Sequence, residues 1–373
     1  MPKVTIGKIV SFMEELAPPV WAESWDNVGL QVGDPATPVE RLLVALELTG
    51  SVVEEALQAR AGLIVVHHPA IFRPLKAIRL DTPAGARLAR LIKADVGLYA
   101  AHTNLDQAPG GTNDTLAALV GIREWEVLEP AGQEGYLKLV VFVPRGYEEA
   151  VRQALAEAGA GHIGNYSHCT FQAPGTGTFL PLEGTNPFLG QQGKLEYADE
   201  YRLETILPER KARAVVQAMI AAHPYEEVAY DLYPLANPGK PRGHGRIGPL
   251  AAPTTLGALA ERLKAELGLT HVTVVGDPAK PVATAAVGAG AGGSLVRSAA
   301  RKGADVLVTG DVKYHDAMDA VDSGLGVIDI GHYSSERIVV KPLAAYLRRR
   351  LDEEGLAAEV LEAQAGGNPF RTL

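Results

Sequence analysis

The sequence predicts an α/β protein: two related α/β halves with largely parallel sheets forming one core unit, interrupted by an inserted ferredoxin-like α+β domain. Three observations lead there. Short apolar runs alternate with amphipathic helical stretches near both ends of the chain, and strands separated by helices need crossover connections and so pair in parallel. The two end segments resemble one another. Between them lies a stretch whose elements follow a different order.

In the first segment, residues 42–48 (LLVALEL) read as a buried strand, 50–61 as a helix and 63–66 (LIVV) as a second strand. A helix at about 84–94, a strand at 96–101 (VGLYAA) and a helix from Thr112 to Val120 follow, the last entered through the turn Pro109-Gly110-Gly111. The last segment repeats the alternation, with strands at 283–288, 305–309 and 326–330 and helices at 293–303 and 312–322. A long final helix is expected from Ile338 to about Glu354. One constant offset carries Gly50-Ser51-Val52 onto Gly293-Ser294-Leu295 and Leu63–Val66 onto Val306–Thr309, and it sets His68 opposite Asp311. Leu98 to Asp106 likewise resembles Val327 to Glu336: in both, a strand ends in a histidine with a carboxylate four residues later.

From about Gly135 to Leu235 the order is strand, helix, two extended polar segments, helix, strand, the ferredoxin-like arrangement. Its flanks, 129–132 and 237–248, are rich in Pro and Gly and read as linkers. The domain reading is therefore 1–130 for the first half of the core, 131–240 for the insert and 241–373 for the second half.

Composition narrows the function. With 35 Lys+Arg against 44 Asp+Glu the net charge is −9, which argues against nucleic acid as a partner, because gripping phosphate needs a basic face. The single Cys169 excludes an intrachain disulfide and any cysteine-based zinc or iron–sulfur site. No apolar run approaches the roughly 18 residues that span a bilayer. The N-terminal stretch is interrupted by Glu14 and Glu15 and reads as an amphipathic helix, not a signal peptide. A soluble, cytoplasmic protein with no membrane partner is expected.

Chemistry concentrates at three strand ends. His67-His68-Pro69 closes the strand 63–66, where open α/β sheets place ligands, and adjacent residues there diverge, so the pair can serve two cations. The bland alternative is two hydrogen-bonded histidines in a turn. His102-Thr103-Asn104-Leu105-Asp106 ends the next strand, with Asp106 offering an oxygen ligand and His102 another nitrogen, or a group that orients a ligand or transfers a proton. Gly331-His332-Tyr333-Ser334-Ser335-Glu336 precedes the final helix; with a helix start near Ser334, His332 and Glu336 stack in its first turn. Any one of these is weak, since Asp after a strand is commonly a helix cap. Three converging strand ends point to a metal site.

These motifs, together with Trp25-Asp26-Asn27-Val28-Gly29-Leu30, resemble those of the GTP cyclohydrolase 1 type 2 homologues, also called the NGG-interacting-factor-like family. The resemblance implies two divalent metal ions per chain, with His67, His68, Asp106, His332 and Glu336 as ligands, and a ring-shaped homohexamer. It further implies that the insert is similar to CutA and PII proteins, and His223-Pro224-Tyr225-Glu226-Glu227 resembles a CutA motif. Mixed His and carboxylate ligation suits zinc, iron or manganese. The function expected is a metal-dependent hydrolase of a nucleotide, purine ring or phosphoester; the alternative is a non-catalytic, metal-binding regulatory or scaffold assembly.

The remaining features carry less. Gly288-Ala289-Gly290-Ala291-Gly292-Gly293 satisfies a dinucleotide-binding pattern formally, but the acidic residue near the expected distance, Asp311, belongs to the metal-bearing strand ends, so a tight turn is expected. Arg348-Arg349-Arg350 reads as a solvated run complementing a helix C-terminus.

Overall fold

A computed structural model describes residues 3–371. The chain divides into two compact units, one built from residues up to Gly132 with those from Arg242 onward, the other from Gln133–Pro241.

The first unit carries two sheets. In the five-stranded sheet, Gly29–Val32, Gly97–Ala100, Leu63–Val66, Arg41–Ala45 and Glu359–Glu362 lie side by side, with only the first pair antiparallel. Side chains alternate faces along a strand, and here both faces are apolar. Leu63 and Val65 join Ile6, Phe12 and Leu347 on one side, while Ile64 and Val66 join Val52, Leu88 and Leu91 on the other. Burial on both faces is why LIVV reads as an unbroken apolar run. The six-stranded sheet runs Thr273–Val275, Gly326–Asp329, Val306–Gly310, Pro281–Ala291, Pro241–Thr255 and Glu126–Gln133. Its second, third and fourth members are parallel, and the same division sends Val306 and Val308 to one layer and Leu307 to the other. Each half of this unit thus contributes a parallel set of strands, as the repeat predicts.

The structure departs from the sequence reading in four places. The Pro/Gly-rich flanks are mostly strand: 129–132 lie in Glu126–Gln133 and 241–248 in its neighbour Pro241–Thr255, leaving 237–240 irregular. The final helix is found at Val340–Glu353, close to the expected range, and a separate short helix, His332–Arg337, precedes it and begins two residues ahead of Ser334. A strand that the sequence did not suggest, Glu359–Glu362, pairs with Arg41–Ala45. The arginine run is engaged: Arg348 pairs with Glu362, Arg349 with Glu353, and half-buried Arg350 with Glu15.

In the second unit the elements are Tyr136–Pro144, Glu148–Glu157, Thr170–Phe179, Glu196–Pro208, Ala212–Ala222 and Tyr230–Leu235. The strands form an antiparallel sheet in which Glu196–Pro208 and Tyr136–Pro144 are central. Leu139, Val141 and Leu203 meet Val151, Leu155, Val215 and Met219 of the helices in a separate core. Among the described residues, no helix is long and apolar enough to cross a membrane.

Candidate metal centre

The C-terminal ends of parallel strands from both sheets of the first unit meet at one cluster. At the end of Leu63–Val66, the backbone N–H groups of His67 and His68 both donate to the carbonyl of Leu46, at 3.0 and 2.8 Å. The two rings do not diverge as the sequence reading expects but stand 5.1 Å apart between centroids, and both approach Glu336. His67 is fully buried and its Nδ1 donates to the carbonyl of Ala101 at 2.8 Å. That bond leaves Nε2 facing Asp106 Oδ1 at 3.6 Å and Glu336 Oε1 at 3.7 Å. Neither His67 Nε2 nor Asp106 Oδ1 has a hydrogen-bond partner, although both are buried. Buried polar atoms are rarely left so. Two lone-pair donors aimed into one space fit a cation.

Glu336, 3% exposed, is the hub. Its Oε2 accepts from His68 Nε2 at 2.7 Å and lies 3.1 Å from His332 Nε2. Burial pushes this carboxyl upward in pKa, but its contacts with His332, His67 and His68 outweigh that and hold it well below the usual carboxylate range. The histidines answer in kind. Burial opposes a proton on His67, yet Asp106 and Glu336 raise the imidazole to about 9. The bond to Glu336, with help from Asp311, raises His332 to about 9 as well. Carboxylates that draw protons this firmly onto imidazole draw other cations to the same place, and a metal would displace those protons.

Two sets of side chains each offer ligand atoms within 4.8 Å of one another: His67, His68 and His102, and His68, His332 and Glu336. All six sequence-selected residues therefore converge on one locality, with Asp106 reaching it through His67. The ligand set implied by the family resemblance omits His102, whereas the geometry brings its ring within 5.2 Å of His67 and 5.6 Å of His68, centroid to centroid.

Three supporting residues were not singled out from sequence for these roles. Asp26 accepts from His102 Nδ1 at 3.0 Å through one oxygen and from the Thr103 hydroxyl at 2.6 Å through the other. Burial raises the Asp26 carboxyl, but these bonds overcome it and lower it to about 2. Its segment is held in place by Gln31, which exchanges bonds with the backbone of Ile71 just past the histidine pair. Asp311 accepts from His332 Nδ1 at 2.8 Å from a backbone with φ of +54°, a left-handed conformation costly for a residue with a side chain. The glycine-rich segment is not a turn up to Ala291 but the irregular end of the strand Pro281–Ala291. Within it Gly290 has φ of +67°, a side chain there would run into Glu336, and its N–H donates to the Ser335 hydroxyl at 2.9 Å. The Trp25-Asp26-Asn27 motif was the available signal for Asp26, whose partner lies far along the chain. A cavity of about 840 Å³ opens beside His68 and His332, lined also by Glu47, Tyr333 and Arg371.

Fold and site together define an α/β protein with histidine and carboxylate groups suited to metal gathered at strand ends. The chain belongs to the Duf34/NIF3 (NGG1p interacting factor 3) family, whose model matches residues 4–369. It is 46% identical over 369 residues to the GTP cyclohydrolase 1 type 2 homolog of Halalkalibacterium halodurans, covering 99% of each chain. It is 43% identical over 366 residues to that of Bacillus subtilis, covering 98% of each. A crystal structure of a Bacillus cereus protein related to NIF3 superposes with a TM-score of 0.84 at 44% identity, covering all of both chains.

Proposed function

We propose that the protein holds two divalent cations through His67, His68, Asp106, His332 and Glu336 and hydrolyses a nucleotide, purine ring or phosphoester. The observation that carries this is the pair of buried, unpartnered donors, His67 Nε2 and Asp106 Oδ1, beside a carboxylate reached by three histidines. Two cations, when bound, supply Lewis acidity and a nucleophile at neutral pH.

The chain's own residues do the rest. The Ala101 carbonyl fixes the tautomer of His67, and Asp311 fixes that of His332, so that each presents Nε2 to the cluster. Ionised Asp26 keeps a proton on His102 Nδ1 and leaves its other nitrogen to accept or pass a proton. The cavity beside His68 and His332 admits a small molecule, and Arg371 at its wall offers a guanidinium to an anionic group. Under this reading residues 131–240 are an inserted module between two halves of the metal-binding core, and the family likeness carries the homohexameric ring, open to test by analytical ultracentrifugation.

Metal analysis of anaerobically purified protein, joined to a hydrolysis screen over nucleotides and phosphoesters, tests the function. Two cations per chain with turnover lost in Glu336→Ala are expected. Two cations without turnover would leave the non-catalytic assembly, and fewer than one after reconstitution would remove the metal centre itself.

A further inference from the structure

The second unit contains a cavity of its own, about 730 Å³, which the metal centre does not use. That volume lies within the range of small-molecule sites, as does a mainly apolar lining with a few converging polar groups. Three aromatic rings stand together in its wall. Tyr225 has Phe179 at 6.1 Å and Phe188 at 6.0 Å between centroids, both tilted. Beside them is Glu200, whose residue is only 6% exposed. The Tyr225 hydroxyl donates to Glu200 Oε1 at 2.9 Å. The other carboxylate oxygen lies against Gly177, where any side chain would collide with it. The glycine therefore makes room for a buried negative charge at an aromatic wall.

The surroundings hold this arrangement in place. His223 Nε2 donates to the carbonyl of Phe142 at 3.0 Å, and its Nδ1 accepts from the Tyr225 backbone N–H at 3.2 Å, so the histidine of the His-Pro-Tyr-Glu-Glu motif sets the position of its tyrosine. The Glu226 carboxylate accepts from the Asn186 N–H at 3.0 Å and ties down the segment that brings Phe188 over the cavity. Charge is one-sided. The lining includes Glu200, Glu226 and Glu227 against Arg202, and Arg202 is already engaged by Glu204 at 2.7 Å.

We propose that this cavity binds a small organic cation: an amine or alkylated ammonium on an apolar body, its charge placed between the Glu200 carboxylate and the faces of Phe179, Phe188 and Tyr225. Ring faces attract cations, most strongly where water is excluded. A buried carboxylate needs a countercharge that the lining does not supply. An anionic ligand would meet that carboxylate directly, and an uncharged one would leave it unpaired.

The test uses the full chain and three probes of one shape: 4-phenylbutylamine, 4-phenylbutanol and 4-phenylbutyrate, titrated calorimetrically. The amine is expected to bind saturably at one site per chain, the alcohol at least about 10-fold more weakly, and the carboxylate not measurably. Glu200→Gln, close to isosteric, is expected to bring the amine down to the level of the alcohol. Phe188→Ala, at a ring 45% exposed and so expendable for folding, is expected to weaken the amine several-fold. Absence of saturable amine binding to the wild-type chain would overturn the proposal. So would equal binding of the three probes, amine binding unchanged in Glu200→Gln, or cross-linking that finds a second copy of the chain seated in the cavity.

Discussion

The two matched turns, His102–Asp106 and His332–Glu336, start from the same local pattern and end in different chemistry. Each histidine has its Nδ1 held by a carboxylate from elsewhere, Asp26 in one case and Asp311 in the other. In the second turn the glutamate reaches its own histidine and two more, whereas in the first the shorter aspartate reaches toward His67. One methylene separates a hub from a single contact. The framework is shared between the halves, and the reach and burial of individual side chains decide which turn gathers histidines and which leaves its histidine to a separate aspartate.

The anchoring of the turns differs as well, and breaking it should give the largest effect. The first turn is held by Arg246, 2% exposed, whose guanidinium donates to the carbonyls of Gln107, Ala108, Gly243 and Gly245 and pairs with Asp114. The second turn relies on close backbone approach at Gly290 and on Ser335. Removing one partner of a buried pair costs about 3–5 kcal/mol. Urea denaturation should find Arg246→Met less stable by that amount, with part regained in Arg246→Met/Asp114→Leu. A loss under about 1 kcal/mol would mean that the first turn is held by something other than this arginine.

Glu336→Asp addresses reach at constant charge. An aspartate at this position lacks the methylene that lets one carboxylate meet His67, His68 and His332. The expected result is fewer than two cations per chain and an affinity down by at least about 100-fold, since losing a ligand costs more than the roughly 10–100-fold of disturbing a ligand's supporting contacts. Unchanged stoichiometry would show that charge alone suffices.

Much of this was legible in the sequence, and the omissions have physical causes. Leu63–Val66 with two histidines at its end stands out because four residues buried on both faces give way abruptly to imidazoles. Residues 237–248 read as a linker because their glycines and prolines mark turns, yet 241–248 belong to the strand Pro241–Thr255, whose register shifts between Pro249 and Thr254, and buried Arg246 sits among them. Glu359–Glu362 escaped notice because its charged ends hide a short edge strand. Asp26 could not be assigned a role, because nothing local says that a carboxylate will meet a histidine 76 residues on. Arg350 looks solvated in a run of three arginines; only tertiary packing sets it beside Glu15.

The acid limb of stability separates the two orienting carboxylates. The Asp26 side chain is fully buried and titrates at about 2 in the fold, against 3.8 ordinarily. A lowered folded value means that its contribution is complete above about pH 4 and is lost as pH falls toward 2. The shift corresponds to about 2 kcal/mol. Asp26→Asn should therefore lower stability at pH 6 by up to that amount and flatten the difference from wild type below about pH 3, as urea midpoints across a pH series would read. A constant difference at every pH would show that the carboxylate's charge is not what stabilises the turn.

Asp311 should give the smallest change, and one with opposed signs. Its side chain is half exposed and its backbone is left-handed, a conformation that costs most L-residues roughly 1–2 kcal/mol, Asp less, and glycine little. Asp311→Gly removes that strain and the bond to His332 Nδ1 together. The metal-free protein should become more stable by about 0.5–1 kcal/mol, while cation affinity falls by about 10-fold as His332 loses its orienting partner. Asp311→Asn keeps a side chain suited to the left-handed region and should show the affinity loss without the gain. If Asp311→Gly lost stability as well, the strain would not be stored at this residue. If its affinity held, His332 would be oriented by Glu336 alone, and the likeness between the two turns would end at their backbone.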